Sequence, residues 1–179
     1  MDIYTLNFTA LEQDIFSLLC LKAGEKLSQR EIAMMLKVSP TAVSNSTKKL
    51  RERNLIKVEK TKTINFISFN RSEKRAVELK RIENLKNAYL SGLSDYFENT
   101  LPGGTIILFG SYSRGEDTNT SDIDLAVIGR KDKALNLEKF ERGLNRKIHV
   151  NFYDSWKKIH PHLKNNILNG VLLSGGIEL

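Results

Sequence analysis

One segment, residues 105–128, constrains the fold of this chain more than any other part of the sequence. It opens with the short apolar run Thr105-Ile-Ile-Leu-Phe109, which ends abruptly in Gly110-Ser111, and it closes with Asp122-Ile-Asp124 and a second apolar run. Short apolar runs bounded by glycine and polar residues are typical of buried strands. The segment therefore predicts two strands, with a glycine turn after the first and two acids at the start of the second.

The glycine turn and the two acids suit the binding of a polyphosphate. A strand that ends in glycine lets the backbone approach a phosphate closely, and the helix that follows points unpaired N–H groups at it. Ser111 adds a hydroxyl donor, and Arg114 adds a cation one turn along. Because residues i and i+2 of a strand share a face, Asp122 and Asp124 project together. Two carboxylates with substrate phosphates are an ordinary ligand set for Mg²⁺.

Gly110-Ser111, ten residues, and then Asp122-x-Asp124 resembles the signature of the DNA polymerase β nucleotidyltransferase superfamily, above all its minimal nucleotidyltransferase branch. The resemblance covers residues 101–179. It implies that a nucleoside triphosphate, with ATP the first candidate, binds together with Mg²⁺ and that a nucleoside monophosphate passes to a hydroxyl. It also implies that Gly110, Ser111 and Arg114 bind the nucleotide and that Asp122 and Asp124 are catalytic metal ligands.

A purely structural explanation of the same residues competes with this one. Strand–turn–helix units with a glycine are common in α/β folds, and paired aspartates can simply cap the end of a strand. Against that explanation, the run from Leu125 to Ile128 predicts a buried strand. Two carboxylates at the start of a buried strand need a cation or strong partners, which favours the metal and nucleotide interpretation.

The strand predicted at residues 147–153 departs from the family pattern. Family members carry a third carboxylate there, whereas this chain has His149 at the matching position, or Asn151 if the register slips by two. A neutral histidine can accept a proton near pH 7, so His149 is the predicted third catalytic residue. It does not supply the negative charge that a second metal usually needs, so the departure bears on catalysis more than on nucleotide binding.

The first third of the chain has the order of a winged helix-turn-helix. Residues 9–53 show three short helical patterns, with capping signals at Ser28 and at Ser39-Pro40, and two alternating β-rich runs follow to residue 69. Residues 9–70 resemble that family, in which the third helix lies in a major groove of DNA. The resemblance implies double-stranded DNA as a partner.

The predicted DNA contacts lie on the third helix and on the turn between the two β runs. An amide such as Asn45 suits a base edge, and lysines suit phosphates. The full predicted set is Ser39, Thr41, Asn45, Lys48, Lys49, Lys60 and Lys62. The alternative is that these lysines only solvate the outer face of a small helical domain, but their clustering on one helix and one turn favours DNA.

These patterns together predict an α+β protein. Residues 1–70 form a winged helix-turn-helix domain, and residues 71–179 form a connecting helix and a nucleotidyltransferase-like domain with a small mixed sheet, whose core is 101–179. The long helical stretch 71–100, broken near Ser91-Gly92, either supplies a homodimer interface or braces the two domains.

Composition narrows the class of protein. The net charge is +7, and residues 1–70 hold 11 Lys and Arg against 7 Asp and Glu, which suits a polyanionic partner or a merely soluble surface. The one cysteine, Cys20, lies in an apolar helical pattern and is predicted to be a core residue. The chain has no apolar run of about 18 residues and no secretory signal at its start, so we expect a cytoplasmic protein without a membrane span.

Three functions fit these features. The first is an enzyme that transfers a nucleoside monophosphate to a hydroxyl. The second is a transcription regulator whose second half is a degenerate transferase that senses a nucleotide or contacts a partner. The third is an antitoxin-like protein that pairs with a toxin and regulates its own operon, as small nucleotidyltransferases of this kind often pair with a toxin.

Overall fold

The computed structural model describes residues 7–178 and divides the chain into two compact units, Met1–Val77 and Glu78–Leu179. Helix and strand are mixed throughout, which confirms the predicted α+β class. Within residues 7–178 we find no helix that is both long and apolar enough to cross a membrane.

The first unit contains the three predicted helices and the predicted hairpin. Its elements are α1 (Ala10–Leu21), β1 (Leu27–Ser28), α2 (Gln29–Leu36), α3 (Pro40–Glu52), β2 (Ile56–Lys60) and β3 (Asn65–Phe69). The sheet has the order β1-β3-β2, with both pairs antiparallel. The two-residue strand β1 was not predicted, because a segment this short carries no alternation of its own.

Side-chain caps set the starts of all three helices. The hydroxyls of Thr9 and Ser28 each accept a hydrogen bond from the backbone N–H three residues on, and in both cases the glutamate at that position accepts one from the backbone N–H of the cap residue. Ser39 accepts from the N–H of Ala42, and Pro40 occupies the first helical position, where its missing N–H costs nothing. Both capping signals of the sequence, at Ser28 and Ser39, are confirmed.

The core of the first unit lies between the three helices and the sheet. Cys20 is buried in it, as predicted. Its fully buried apolar side chains include Ile15, Phe16, Ile32, Val43, Leu50 and Ile67. Burial of Val43 and Leu50 fixes which face of α3 points inward and therefore which face meets solvent.

A long helix, α4 (Lys74–Leu90), runs across the division between the units in the sequence. It ends close to the predicted break, since Gly92 has a left-handed backbone with φ 74° and caps the next helix. The later elements are α5 (Leu93–Thr100), β4 (Thr105–Phe109), α6 (Gly110–Arg114), β5 (Ile123–Ile128), α7 (Glu138–Leu144), β6 (Ile148–Tyr153), a 3-10 turn (Trp156–Lys158), α8 (Pro161–Leu168) and β7 (Val171–Ser174).

The second unit is built on a four-stranded mixed sheet of order β6-β5-β4-β7. Strands β5 and β6 are parallel, and the other two pairs are antiparallel. Alternate residues of β5 belong to different apolar clusters: Leu125 packs with Phe97 and Phe140, whereas Ala126 packs with Trp156 and Ile167. The sheet is thus covered on both faces, and the parity of each strand residue decides which face it meets.

Candidate functional site

Three strands bring the predicted site residues into one row. In the antiparallel pair of β4 and β5, Phe109 lies opposite Asp124, and in the parallel pair of β5 and β6, Asp124 lies opposite His149. Gly110 follows Phe109 directly, and Asp122 lies two residues before Asp124. The glycine turn, both aspartates and the histidine therefore gather at one end of the sheet.

The register of β5 and β6 also shows which of the two candidate residues, His149 or Asn151, lies beside the aspartates. Asn151 pairs with Ala126, one step further into the sheet, whereas His149 pairs with Asp124 itself. The Nε2 of His149 lies 3.3 Å from Oδ2 of Asp122, and both side chains reach solvent. His149 is thus the β6 residue beside the acid pair, and no carboxylate replaces it in that row.

Gly110 meets Asp124 at very short range. It has a left-handed backbone with φ 77°, and a Cβ placed on it would lie 2.4 Å from Oδ2 of Asp124. A side chain at this position would therefore collide with the carboxylate as well as strain the backbone. The space between the turn and the acid exists only because residue 110 is glycine.

The helix after Gly110 is shorter than a phosphate-binding helix usually is. Helix α6 has five residues and is capped by Gly115, which has φ 74°. A helix of barely more than one turn contributes little macrodipole. Its electrostatic contribution is thus smaller than the sequence pattern predicts, and the N–H groups at a single turn remain as the donors.

Asp124 is half-buried, and its surroundings disfavour its charge. Burial raises the pKa of the Asp124 carboxyl above its ordinary value, the neighbouring His149 opposes this shift, and the like charge of Asp122 adds to it. A carboxylate that is costly to ionise gains from a cation placed beside it. The site thus favours a positive ion at Asp124.

This shift predicts that Asp124→Asn raises the thermal unfolding midpoint of the second unit at pH 7 in the absence of ligands. Because the folded-state pKa is raised, the stability associated with Asp124 is fully present below the unfolded pKa and is lost as the pH rises through the folded value. The gain from asparagine should shrink as the pH falls toward 3.8, the ordinary pKa.

Asp154→Asn is the matched control for this measurement. A hydrogen bond from Lys158 lowers the pKa of Asp154, so asparagine there should give no gain. Calorimetric melting of both variants at several pH values checks the expectation. A lower midpoint for Asp124→Asn at pH 7 would contradict it.

The protein supplies only part of a metal site. Within residues 7–178 no three His, Cys, Asp or Glu side chains are grouped so as to hold a metal ion. Two aspartates beside a glycine turn do match the hard-oxygen half of a Mg²⁺ site, in which phosphate oxygens complete the ligand set. The geometry fits a metal that arrives together with a polyphosphate.

Arg114 is held by neighbouring side chains. Its Nε donates to Glu116 at 2.7 Å, and its Nη1 donates to Asn166 of α8 at 3.2 Å. The side chain is still substantially exposed, so it can leave the exposed Glu116 at small cost. A contact between Arg114 and a phosphate stays a prediction, and it requires this rearrangement.

A buried ionic cluster supports the site, and the sequence pattern did not reveal it. Asp117 lies in the loop between α6 and β5, where Lys80 of α4 and Arg146, just before β6, both bind its carboxylate. Asn84 of α4 donates to Asp117 at 2.7 Å and to the carbonyl of Tyr112 at 2.9 Å. The cluster ties the glycine turn and the starts of β5 and β6 to one helix.

Glu141 of α7 holds the start of β6 in place through two hydrogen bonds. Its two carboxylate oxygens accept from the backbone N–H of Ile148 at 3.1 Å and from Lys147 at 2.8 Å. These hydrogen bonds lower the pKa of Glu141. A sequence pattern does not reveal Glu141 as a partner of β6, because Glu141 lies on α7 and contacts the strand only in the folded chain.

The first unit presents a second candidate site. Thr41, Asn45 and Lys48 are exposed on the face of α3 opposite its buried stripe, and Lys60 and Lys62 are exposed on the hairpin. A groove of about 660 Å³ lies between the starts of α2 and α3 and the hairpin turn, and its lining includes Lys62. Gln29 and Arg30 also line this groove, although the sequence prediction left them out.

Two of the predicted contacts have structural tasks. Ser39 caps α3, and Nζ of Lys49 lies 3.6 Å from Oε2 of Glu12 and binds the carbonyl of Asn7. Lys48 has the more exposed side chain of the two neighbouring lysines. Lys48 should therefore contribute more than Lys49 to any phosphate contact.

Comparison with known proteins finds a family match in each half of the chain. The family described as "Nucleotidyltransferase domain" matches residues 90–173, and the family described as "MarR family" matches residues 14–63. A protein of Methanocaldococcus jannaschii, named as a candidate protein adenylyltransferase, is 42% identical over 67 residues, which is 35% of this chain and 69% of that protein. The row of site residues lies inside the first matched region.

Among solved structures, two variants of ZitR from Lactococcus lactis are each 22% identical to this chain. Both comparisons cover 56% of this chain and 67% of the other, with TM-scores of 0.42 and 0.41.

Proposed function

This chain belongs to the nucleotidyltransferase-domain family and carries a MarR-type DNA-binding domain ahead of it, and on that premise we propose that it binds Mg²⁺ and ATP and transfers adenosine monophosphate to a protein hydroxyl. One observation carries the proposal: at the end of the sheet Asp124 has His149 beside it on β6 and lies against the glycine turn at Gly110. The name of the relative from Methanocaldococcus jannaschii supports adenylate as the group and a protein as the acceptor.

Each residue of the row has one task in this proposal. Gly110 and Ser111 bind the triphosphate through the turn, and Asp122 and Asp124 would hold Mg²⁺, which supplies charge neutralisation of the phosphates. The acceptor oxygen forms a bond to the α-phosphorus, the bond from that phosphorus to the bridging oxygen breaks, and pyrophosphate leaves. The hydroxyl proton passes to the imidazole of His149.

An assay with ATP labelled at the α-phosphate tests the transfer. We expect label on protein in the presence of Mg²⁺, loss of the label with Asp124→Asn, and a decrease of about 10²- to 10⁴-fold with His149→Ala, the usual contribution of a general base. The proposal fails if the wild type binds Mg²⁺ and ATP but labels no protein acceptor.

The histidine in place of a third acid favours a second candidate function, a nucleotide-sensing regulator that transfers nothing. His149→Asp separates the two, because it restores the carboxylate that the family pattern places there. A sensor should gain transfer with this change from a wild type that shows none. An enzyme that uses His149 should already transfer in the wild type.

For the first unit we propose that α3 enters a major groove and that the hairpin contacts the DNA backbone. Lys48→Ala should weaken binding to duplex DNA and reduce the slope of log K against log salt by about one, as the loss of one phosphate contact does. Lys49→Ala should change the slope less, because Lys49 is held by Glu12. Gel shifts at several salt concentrations give both slopes, and equal slopes for Lys48→Ala and the wild type would remove Lys48 from the interface.

A further inference from the structure

A cavity of about 430 Å³ opens beside the aspartate pair. One wall is the segment from Asn119 to Asp122, and the other is formed by the end of α7 and the residues that lead into β6. The volume lies in the range of pockets that bind small ligands, roughly 300–1,000 Å³. Apart from Asp122, none of the residues of the family pattern or of the predicted nucleotide contacts lines this cavity.

The two aspartates point to different neighbours. Asp124 lies against Gly110, whereas Asp122 lines the cavity. A nucleotide on the glycine turn would therefore leave the cavity free, with Asp122 at its edge. A second substrate bound in the cavity would meet the reaction centre from the side of Asp122 and His149, whose side chains lie 3.3 Å apart.

The lining sets the chemistry of that second substrate. All of its lining residues have polar or charged side chains, among them Asp122, Glu141, Arg142, Arg146 and Lys147. An apolar ligand would pack on the aliphatic parts of these side chains but would desolvate their polar ends at a cost. The occupant must offer hydrogen-bonding groups.

The charges of the lining residues narrow the class of the second substrate further. Of the three lining cations, Arg146 is paired with Asp117 at 3.4 Å and Lys147 with Glu141 at 2.8 Å. Arg142 is exposed on α7, and within residues 7–178 no ion pair engages it. One available cation suits one carboxylate, whereas a nucleic acid backbone would need several uncompensated cations.

We propose that this cavity is the acceptor site and that it takes a polypeptide segment whose serine, threonine or tyrosine hydroxyl faces Asp122 while a neighbouring acidic side chain binds Arg142. The inference rests on the proposed transfer for the role of the bound hydroxyl. The binding preference itself is a property of the cavity and is measured without any transfer.

Peptide binding to the full chain tests the proposal. Three fluorescent peptides share one central serine and carry aspartate, asparagine or lysine at the flanking positions, and anisotropy gives their affinities with and without Mg²⁺ and a non-hydrolysable ATP analogue. The aspartate peptide should bind about tenfold more tightly than the asparagine peptide, the effect of one charge-assisted hydrogen bond. Arg142→Glu should abolish that preference and transfer it to the lysine peptide.

Lys157→Ala is the matched control, since Lys157 is an exposed cation of the same unit outside the cavity. It should leave both the preference and the affinity for the ATP analogue unchanged. Equal affinities for the three peptides, or a preference that survives Arg142→Glu, would overturn the acceptor site. Failure of the wild type to bind the ATP analogue would instead count against the proposed function, because the peptide preference is read separately.

Discussion

Asp117→Ala should lower the free energy of unfolding of the second unit by about 3–5 kcal/mol, the usual cost of removing one partner from a buried ion pair. Asp117, Lys80 and Arg146 are 1%, 0% and 5% exposed, so the change leaves two buried cations without their shared carboxylate. The bonds from Asn84 to the loop are weakened at the same time. Few other single changes in this unit should cost as much.

Fluorescence of the single tryptophan reports this loss directly. Trp156 is buried against the sheet of the second unit, so its emission during urea unfolding follows that unit. Lys80→Met should lower the free energy of unfolding less than Asp117→Ala does, because Asp117 and Arg146 then remain as a pair without net charge. Asp154→Ala breaks only an exposed pair with Lys158, so its cost should be too small to shift the urea midpoint. An equally small cost for Asp117→Ala would show that the cluster of Asp117, Lys80 and Arg146 does not stabilise the second unit.

Gly110→Ala should weaken the binding of Mg²⁺ and ATP by about 10- to 100-fold, as loss of support for a metal ligand does. The new methyl group would lie 2.4 Å from Oδ2 of Asp124, so the carboxylate must move away from the turn. The backbone at residue 110 is also left-handed, which costs an alanine about 1–2 kcal/mol.

Gly129→Ala separates these two effects. Gly129 has φ 80°, close to that of Gly110, but a Cβ there would meet no atom within 4 Å. The two variants should therefore lose similar stability from backbone strain, and only Gly110→Ala should lose nucleotide affinity. Equal affinities in the two variants would mean that contact between the turn and Asp124 has no part in binding.

The sequence was sufficient for the local structure and for the row of site residues. Ser28 and Ser39 mark helix starts by chemistry that needs no distant partner, and alternation along a strand is also local, so Ile148 packs in the core while His149 is exposed. The family matches confirm the two kinds of domain that the motifs predicted.

What the sequence did not reveal depends on contacts between distant segments. Lys80 and Asp117 are 37 residues apart, and nothing in either neighbourhood indicates that they form a buried pair. Glu141 reaches β6 from α7, and β1 forms only because β3 offers it an edge. The homodimer, the toxin-like partner and the roles of single site residues stay predictions.

Calorimetric titration of the full chain with a non-hydrolysable ATP analogue tests most directly whether the glycine turn and the aspartates bind one polyphosphate. We predict binding that requires Mg²⁺, that is lost in Asp124→Asn, and that persists in Asp154→Asn. Binding of equal strength in Asp124→Asn and the wild type, or no binding by the wild type with Mg²⁺ present, would contradict the account.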